Sequence, residues 1–316
     1  MLQFIYASLA AIFYAINIPC SKLLLTKIPA ASMAGLLYLG AGIGIGIIYL
    51  FQIKKEDNSK RLSKADLPYT AAMIILDIAA PILLMQGVKT GTSSSASLLG
   101  NFEIVATTII ALAIFKERVS CRLWISIILI TLASMLLSFE NISSLKDGIF
   151  DLSAGSLFVL GATLCWGLEN NCTRRLSEKS TYQIVTVKGL ASGSGALIVA
   201  ALLGDFNSAN TDRIFDSRYI PFVLLLGFVA YGLSIFTYVR AQKFLGAAKT
   251  SAFYAVNPFV GALLSFLLLG EKLSAQYFIA LAIMIAGIVF LIFDTLSHDH
   301  LHFHSKKDLE KESKHG

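Results

Sequence analysis

Charge is the scarcest ingredient of this sequence. Asp, Glu, Lys and Arg make up 15% of its 316 residues, where a soluble domain carries about 25%, and the shortfall excludes a water-soluble globular enzyme. Histidine is missing from everything that precedes the C-terminal stretch, where all five stand: His298, His300, His302, His304 and His315. With no HExxH, no Ser/His/Asp set and no catalytic carboxylate beside a His, the chain is not expected to be an enzyme, and it calls for no cofactor. Cys20, Cys121, Cys165 and Cys172 show neither CxxC nor Cys/His spacing and read as free packing residues. The net charge of +6 and pI of about 9.0 come from Lys and Arg scattered through short loops and a tail. They form no basic stripe, which argues against a nucleic-acid partner.

What the chain has in abundance is apolar length. Hydrophobic residues reach 56% and the mean hydropathy is +0.71. A bilayer core needs roughly 20 apolar helical residues to cross, because only a helix satisfies its own backbone there. Ten segments qualify, near Phe4–Leu23, Ala31–Ile53, Leu67–Gly87, Ser93–Phe115, Leu123–Phe139, Leu152–Thr173, Tyr182–Leu203, Ile220–Val239, Ala247–Leu269 and Tyr277–Phe293. The first has no basic flank and runs into Asn17, Pro19 and Lys22 without a small-residue cleavage site, so it is expected to be a span and not a removed leader.

The basic residues test this count. With a cytoplasmic N-terminus, seven of the 26 Lys and Arg (Lys22, Lys27, Lys89, Lys146, Arg213, Arg218 and Lys272) fall outside, Lys188 lies within helix 7, and the other eighteen face the cytoplasm. Cytoplasmic loops carry the excess in membrane proteins, so the expectation is a multi-pass protein of the cytoplasmic (inner) membrane with both termini inside.

The two halves also echo each other. Phe115-Lys116-Glu117-Arg118-Val119-Ser120 ends helix 4, and Leu269-Gly270-Glu271-Lys272-Leu273-Ser274 ends helix 9, an offset of 154. Tyr14-Ala15-Ile16-Asn17-Ile18-Pro19-Cys20-Ser21-Lys22 matches Trp166-Gly167-Leu168-Glu169-Asn170-Asn171-Cys172-Thr173-Arg174 at an offset of 152. Each unit holds five helices, an odd number, so the second enters the membrane upside down. The predicted fold is therefore an all-α integral membrane protein of ten transmembrane helices in two inverted five-helix repeats, 1–148 and 149–293, followed by a His/Lys-rich cytoplasmic tail, 294–316.

These paired motifs resemble the EamA family of the drug/metabolite transporter superfamily, over about residues 3–293. The resemblance implies ten helices, cytoplasmic termini, and export of small metabolites such as amino acids or their derivatives driven by an ion gradient.

Ionisable groups at membrane depth are costly, about 2.5–3.5 kcal/mol on insertion scales, and they face a cavity or a partner. Asp77 in helix 3 and Glu103 in helix 4 both fall near the midplane on adjacent antiparallel helices. They are read either as binders of a substrate amine or of a coupling proton, or as packing charges paired with Lys, Arg or Asn. Glu169 and Asn170 interrupt helix 6, with Asn17 as repeat mate in helix 1. They suggest a vestibule, the alternative being that Glu169 pairs with Arg174 and Arg175 at the headgroups. In helix 9, Pro258 removes a backbone donor and frees the Tyr254 carbonyl, beside Asn257, the repeat counterpart of Glu103. Pro19 and Pro81 are further kink candidates. Tyr14, Trp166 and Tyr254 stand beside these polar groups as a candidate aromatic wall for an organic cargo, or as interfacial anchors.

Gly40, Gly42, Gly44 and Gly46 in helix 2, with Gly189 and Gly193 in a GxxxG spacing in helix 7, are assigned to close packing, which serves moving helices or a homodimer face equally. The hydroxyl run Thr92–Ser97 is read as helix capping. The alternation of His298, His300, His302 and His304 would line four imidazoles along one side of an extended strand, a candidate Zn, Ni or Cu site; a solvated tail is the alternative. The resulting expectation is a secondary active exporter of small organic metabolites, amino-acid-like or drug-like. It would work by alternating access and couple to protons through Glu103 or Asp77. The alternative is a divalent-metal efflux protein with the His tail as sensor, against which stands the lack of His or Cys clusters in the helices.

Overall fold

The computed structural model describes residues 2–17, 20, 24, 27–90, 102–116, 120–138, 154–207, 214, 216–269 and 275–312, with the side chains of most of them up to Asp294. Pro19, Lys22, the Thr92–Ser97 run, Glu117, Glu271 and Ser274 lie outside the described residues.

Every regular element among the described residues is helical. The helices are α1 (Leu2–Ala15), α2 (Ala30–Gln52), α3 (Leu67–Thr90), α4 (Phe102–Ala113), α5 (Cys121–Ser138), α6 (Ala154–Leu176), α7 (Thr181–Leu202), α8 (Ile220–Tyr254), α9 (Asn257–Leu269) and α10 (Ala275–Glu312). Five described runs are long and apolar enough to cross a membrane: Ala31–Gln52, Asn58–Leu83, Thr181–Leu202, Ile220–Tyr254 and Tyr277–Asp294. Leu2–Ala15, Phe102–Ala113 and Cys121–Ala133 are shorter and equally apolar. Large apolar side chains such as Phe51, Ile75, Leu202 and Phe222 point outward, the arrangement of a multi-pass membrane protein whose outer surface meets hydrocarbon.

Two departures from regularity shape α8. Gly227–Leu233 forms a π turn, the widened helical turn that recurs at functional sites. At Gly246 the backbone swings to φ 79° and ψ 175°, a conformation open to glycine because it has no Cβ. This break divides what the sequence presents as helices 8 and 9, but the helix runs further than predicted before it, and Arg240 and Lys243 are helical. Likewise α10 does not stop near Phe293: its backbone stays helical to Glu312. The side chains of His298, His300, His302 and His304, the candidate metal ligands of the tail, lie outside the described residues.

Packing is close where glycines meet. A Cβ at Gly42 would sit 2.5 Å from the Leu190 amide nitrogen, one at Gly189 2.3 Å from that of Gly42, and one at Gly227 2.2 Å from the Leu37 carbonyl. α2 is thus clamped between α7 and α8 at backbone contact. Besides the α2–α7 and α5–α10 contacts, α3 meets α6 as α1 meets α8, α3 meets α7 as α2 meets α8, and α4 meets α6 as α1 meets α9. Exchanging every helix for the one five places along leaves α2–α7 and α5–α10 unchanged and interchanges the two members of each of the other three pairs.

One end of the bundle gathers the basic loops. Lys179 pairs with Asp66 at 3.3 Å, and Lys243 with Glu178 at 3.0 Å. The Leu62 amide donates to Gln183 Oε1 at 2.7 Å, and Arg240 stacks over Phe236, 4.4 Å from its ring centre, while its guanidinium donates to the Tyr6 hydroxyl. At this end too, Lys249 pairs with Asp294 at 2.8 Å, and the Ser120 hydroxyl donates to the same carboxylate.

Candidate functional site

Between the helices lies a cavity of about 390 Å³ whose walls come from α1, α2, α3, α4, α6, α7 and α8. Its polar centre is an ion triad. Lys188 of α7 extends its ammonium between Asp77 of α3, 3.1 Å away, and Glu169 of α6, 2.8 Å away. All three are almost fully enclosed, at 5%, 2% and 3% exposure. Tyr38 of α2 donates its hydroxyl to the other Asp77 oxygen at 3.2 Å, and Thr173 donates to Glu169. Pro81, one turn beyond Asp77, has no N–H to return to the Asp77 carbonyl, so α3 is loosened where its carboxylate enters the cavity.

Glu103 occupies a different part of the wall. Asn170 donates to Glu103 Oε1 at 3.0 Å and to the Thr107 hydroxyl at 3.3 Å. Asn170 is itself held through its carbonyl, which accepts from Gln242 of α8 at 2.8 Å. Neighbouring Asn171 turns away from the cavity and ties α6 to α4, donating to the Thr107 carbonyl at 3.0 Å. No Lys or Arg pairs with Glu103 among the described residues, so the cavity carries three carboxylates, Asp77, Glu103 and Glu169, against the single ammonium of Lys188.

Five tyrosines complete the wall as a continuous chain. Tyr38 packs on Tyr231 with ring centres 5.2 Å apart, Tyr231 on Tyr14 at 5.5 Å, Tyr14 on Tyr254 at 5.4 Å, and Tyr254 on Tyr238 at 5.0 Å. Three of these contacts are edge-to-face and the Tyr14–Tyr254 pair is tilted at 44°. The helical register explains part of the chain: Tyr231, Ser234 and Tyr238 are three and four residues apart on α8 and so share one face. Asn17 donates to the Tyr231 hydroxyl at 3.4 Å, and Trp166 closes the wall from α6.

The structure therefore brings Asp77, Glu103, Glu169, Asn17, Asn170, Trp166 and Tyr254 to one cavity. Asp77 and Glu103 line it together without touching the same partner, and Glu169 meets Lys188, whereas Arg174 donates to Ser177 and Arg175 lies over Phe115. Asn257 is not among the lining residues; its amide donates to the Tyr254 carbonyl at 3.1 Å, the acceptor that Pro258 leaves without a helical donor. Sequence reasoning set Lys188 aside as a span residue and did not single out Tyr38, Tyr231 or Tyr238. The signal for Lys188 was available, since an ammonium within an apolar helix requires a carboxylate partner. No group of three or more His, Cys, Asp or Glu able to hold a metal occurs among the described residues.

The comparisons with known proteins agree with this architecture. The model of the EamA-like transporter family matches the chain twice, over residues 1–139 and 153–293. An uncharacterized transporter of Methanothermobacter thermautotrophicus is 24% identical over 294 residues, covering 89% of this chain and 83% of its own length. The uncharacterized transporter YyaM of Bacillus subtilis strain 168 is 24% identical over 271 residues, covering 83% of each. A crystal structure with 13% sequence identity superposes with a TM-score of 0.77 over 93% of this chain and 98% of that one, which shows the shared fold. With both halves matched by one family model, this chain belongs to the EamA-like transporter family.

Proposed function

We propose that this protein is a secondary active exporter of small organic metabolites in the cytoplasmic membrane, working by alternating access and coupled to protons. The observation that carries the proposal is the charge imbalance of the cavity between the helices. Lys188 offsets one of the two carboxylates it bridges, and Glu103 adds another. In a poorly polarizable interior such an excess is expensive unless a proton or a cationic cargo supplies the missing charge. A site that must always hold one or the other exchanges them, and exchange across two faces is antiport.

The architecture supplies the second face. Two matches to one family model, five helices in each sequence unit, and a set of helix contacts that interchange when the halves are swapped favour two copies related by an axis in the membrane plane. Lys188 bridges a carboxylate of the first half to one of the second, so relative movement of the halves must stretch or reform this triad. The gathering of basic loops at one end, with Tyr6 of α1 among them, favours cytoplasmic termini. An aromatic and carboxylate wall suits an organic cargo better than a soft divalent ion, which prefers imidazole or thiolate.

The test loads proteoliposomes with a mixed metabolite pool, imposes a pH gradient and identifies by mass spectrometry what leaves. Proton-driven efflux that is lost in Glu103→Gln supports the coupling. Efflux unchanged in that variant removes Glu103 from the mechanism.

A further inference from the structure

The two parts of the cavity meet charge differently. Lys188 is committed on both sides, to Asp77 and Glu169, and Tyr38 adds its hydroxyl to Asp77. Glu103 instead accepts one neutral hydrogen bond, from Asn170, and has no cation beside it among the described residues. It lines the same cavity as Tyr14, Tyr254 and Tyr238, consecutive rings of the aromatic chain at 5.4 and 5.0 Å. Ring faces and a carboxylate attract the same thing, a desolvated positive charge. A cargo carboxylate would find the reverse: the ammonium of Lys188 already shared, three carboxylates of its own sign, and only neutral donors.

We propose that the cavity selects small organic cations that carry no carboxylate, the ammonium resting against Glu103 within Tyr14, Tyr238 and Tyr254, and that it turns away zwitterionic amino acids. This inference rests on the export reading in taking the cavity as the transport site, and it narrows the cargo from metabolites in general to amines and quaternary ammonium compounds. A cavity of about 390 Å³ is within the range of small-molecule pockets.

Three matched probes test it on the purified full-length protein: phenethylamine, with an ammonium only; phenylalanine, with both groups; and 3-phenylpropionate, with a carboxylate only. Equilibrium binding by titration calorimetry should give phenethylamine at least a tenfold lower Kd than phenylalanine, and no saturable binding of phenylpropionate. Glu103→Gln should weaken phenethylamine at least tenfold, and Glu103→Asp should restore part of that loss. The ranking of the three probes on the unaltered protein decides the matter even if the variants do not fold. Phenylalanine or phenylpropionate binding as tightly as phenethylamine, no saturable amine binding, or amine affinity unchanged in a folded Glu103→Gln variant would overturn the assignment. Flux of the same probes in proteoliposomes separates the two levels. Phenylalanine moving while phenethylamine does not sinks the cargo class and leaves the exporter standing. Glu103-dependent amine binding without flux under any gradient sinks the exporter reading alone.

Discussion

Replacing Lys188 with methionine removes an ammonium while keeping an unbranched apolar stem of similar length, and it leaves Asp77 and Glu169 facing each other without a cation. The two contacts, at 3.1 and 2.8 Å, are each worth about 5–6 kcal/mol of Coulomb attraction at an effective dielectric near 20. Desolvation of the ammonium offsets much of that gain, and breaking a buried pair by removing one partner typically costs about 3–5 kcal/mol. Lys188→Met should therefore destabilise the folded protein by that amount. Adding Asp77→Asn and Glu169→Gln removes the stranded charges and should recover most of the loss. The assay is equilibrium unfolding in mixed micelles by SDS titration, followed by intrinsic fluorescence, at neutral and mildly acidic pH. Lys188→Met should also be less destabilised at the lower pH, because a proton taken up at Asp77 discharges the repulsion. A Lys188→Met protein as stable as the wild type, or a triple variant no better than the single one, would refute the ion triad as the centre of the packing.

Other parts of the structure make separate predictions. Gly189→Val places side-chain atoms where a Cβ alone would stand 2.3 Å from the Gly42 nitrogen, so the yield of monodisperse protein should collapse, read by fluorescence-detected size exclusion. Asn257→Ala leaves the Tyr254 carbonyl without its 3.1 Å donor; stability should fall by about 1 kcal/mol, while the Kd for a cargo changes less than twofold because Asn257 does not line the cavity. Lys249→Met removes the ammonium 2.8 Å from Asp294, a carboxylate that also accepts from Ser120, and should lower the unfolding midpoint more than Asp294→Asn combined with Lys249→Met. A truncation that probes the histidine tail should begin at residue 295, so that this pair is kept. Such a truncation should leave proton-driven efflux unchanged and abolish any zinc binding measured by equilibrium dialysis.

The cavity was legible in the sequence wherever a group violates the solvent rule of its own helix. Asp77, Glu103 and Glu169 stand out because a carboxylate has no cheap place in an apolar span, and Asn17, Asn170, Tyr254 and Trp166 stand beside such positions or beside a proline. Tyr38, Tyr231 and Tyr238 violate nothing, since tyrosine is at home in membrane helices, and only the docking of α2, α1 and α8 brings them together. Lys188 is visible as an ammonium inside an apolar span, yet it stands outside the orientation count, and the cost of burying it calls for a carboxylate within its reach; the structure supplies two. Asn257 shows the opposite effect: proline and asparagine side by side suggest an exposed polar backbone, and the local hydrogen bond closes it instead. The Gly246 break lay at the predicted helix 8–9 boundary, yet nothing in the sequence announced that α8 would stay helical through Arg240 and Lys243, whose heads find Tyr6, Tyr182 and Glu178 across the bundle end.

The central claim is that the cavity opens by turns to the two sides of the membrane. Single cysteines at Ala34 and Ile235, both on the cavity wall, placed in a background where Cys20, Cys121, Cys165 and Cys172 are replaced by alanine, report this directly through labelling with a membrane-impermeant maleimide added to one side of oriented proteoliposomes. The account predicts labelling from either side, with the preferred side reversing when the pH gradient is reversed. Labelling confined to the same side under every gradient would contradict it.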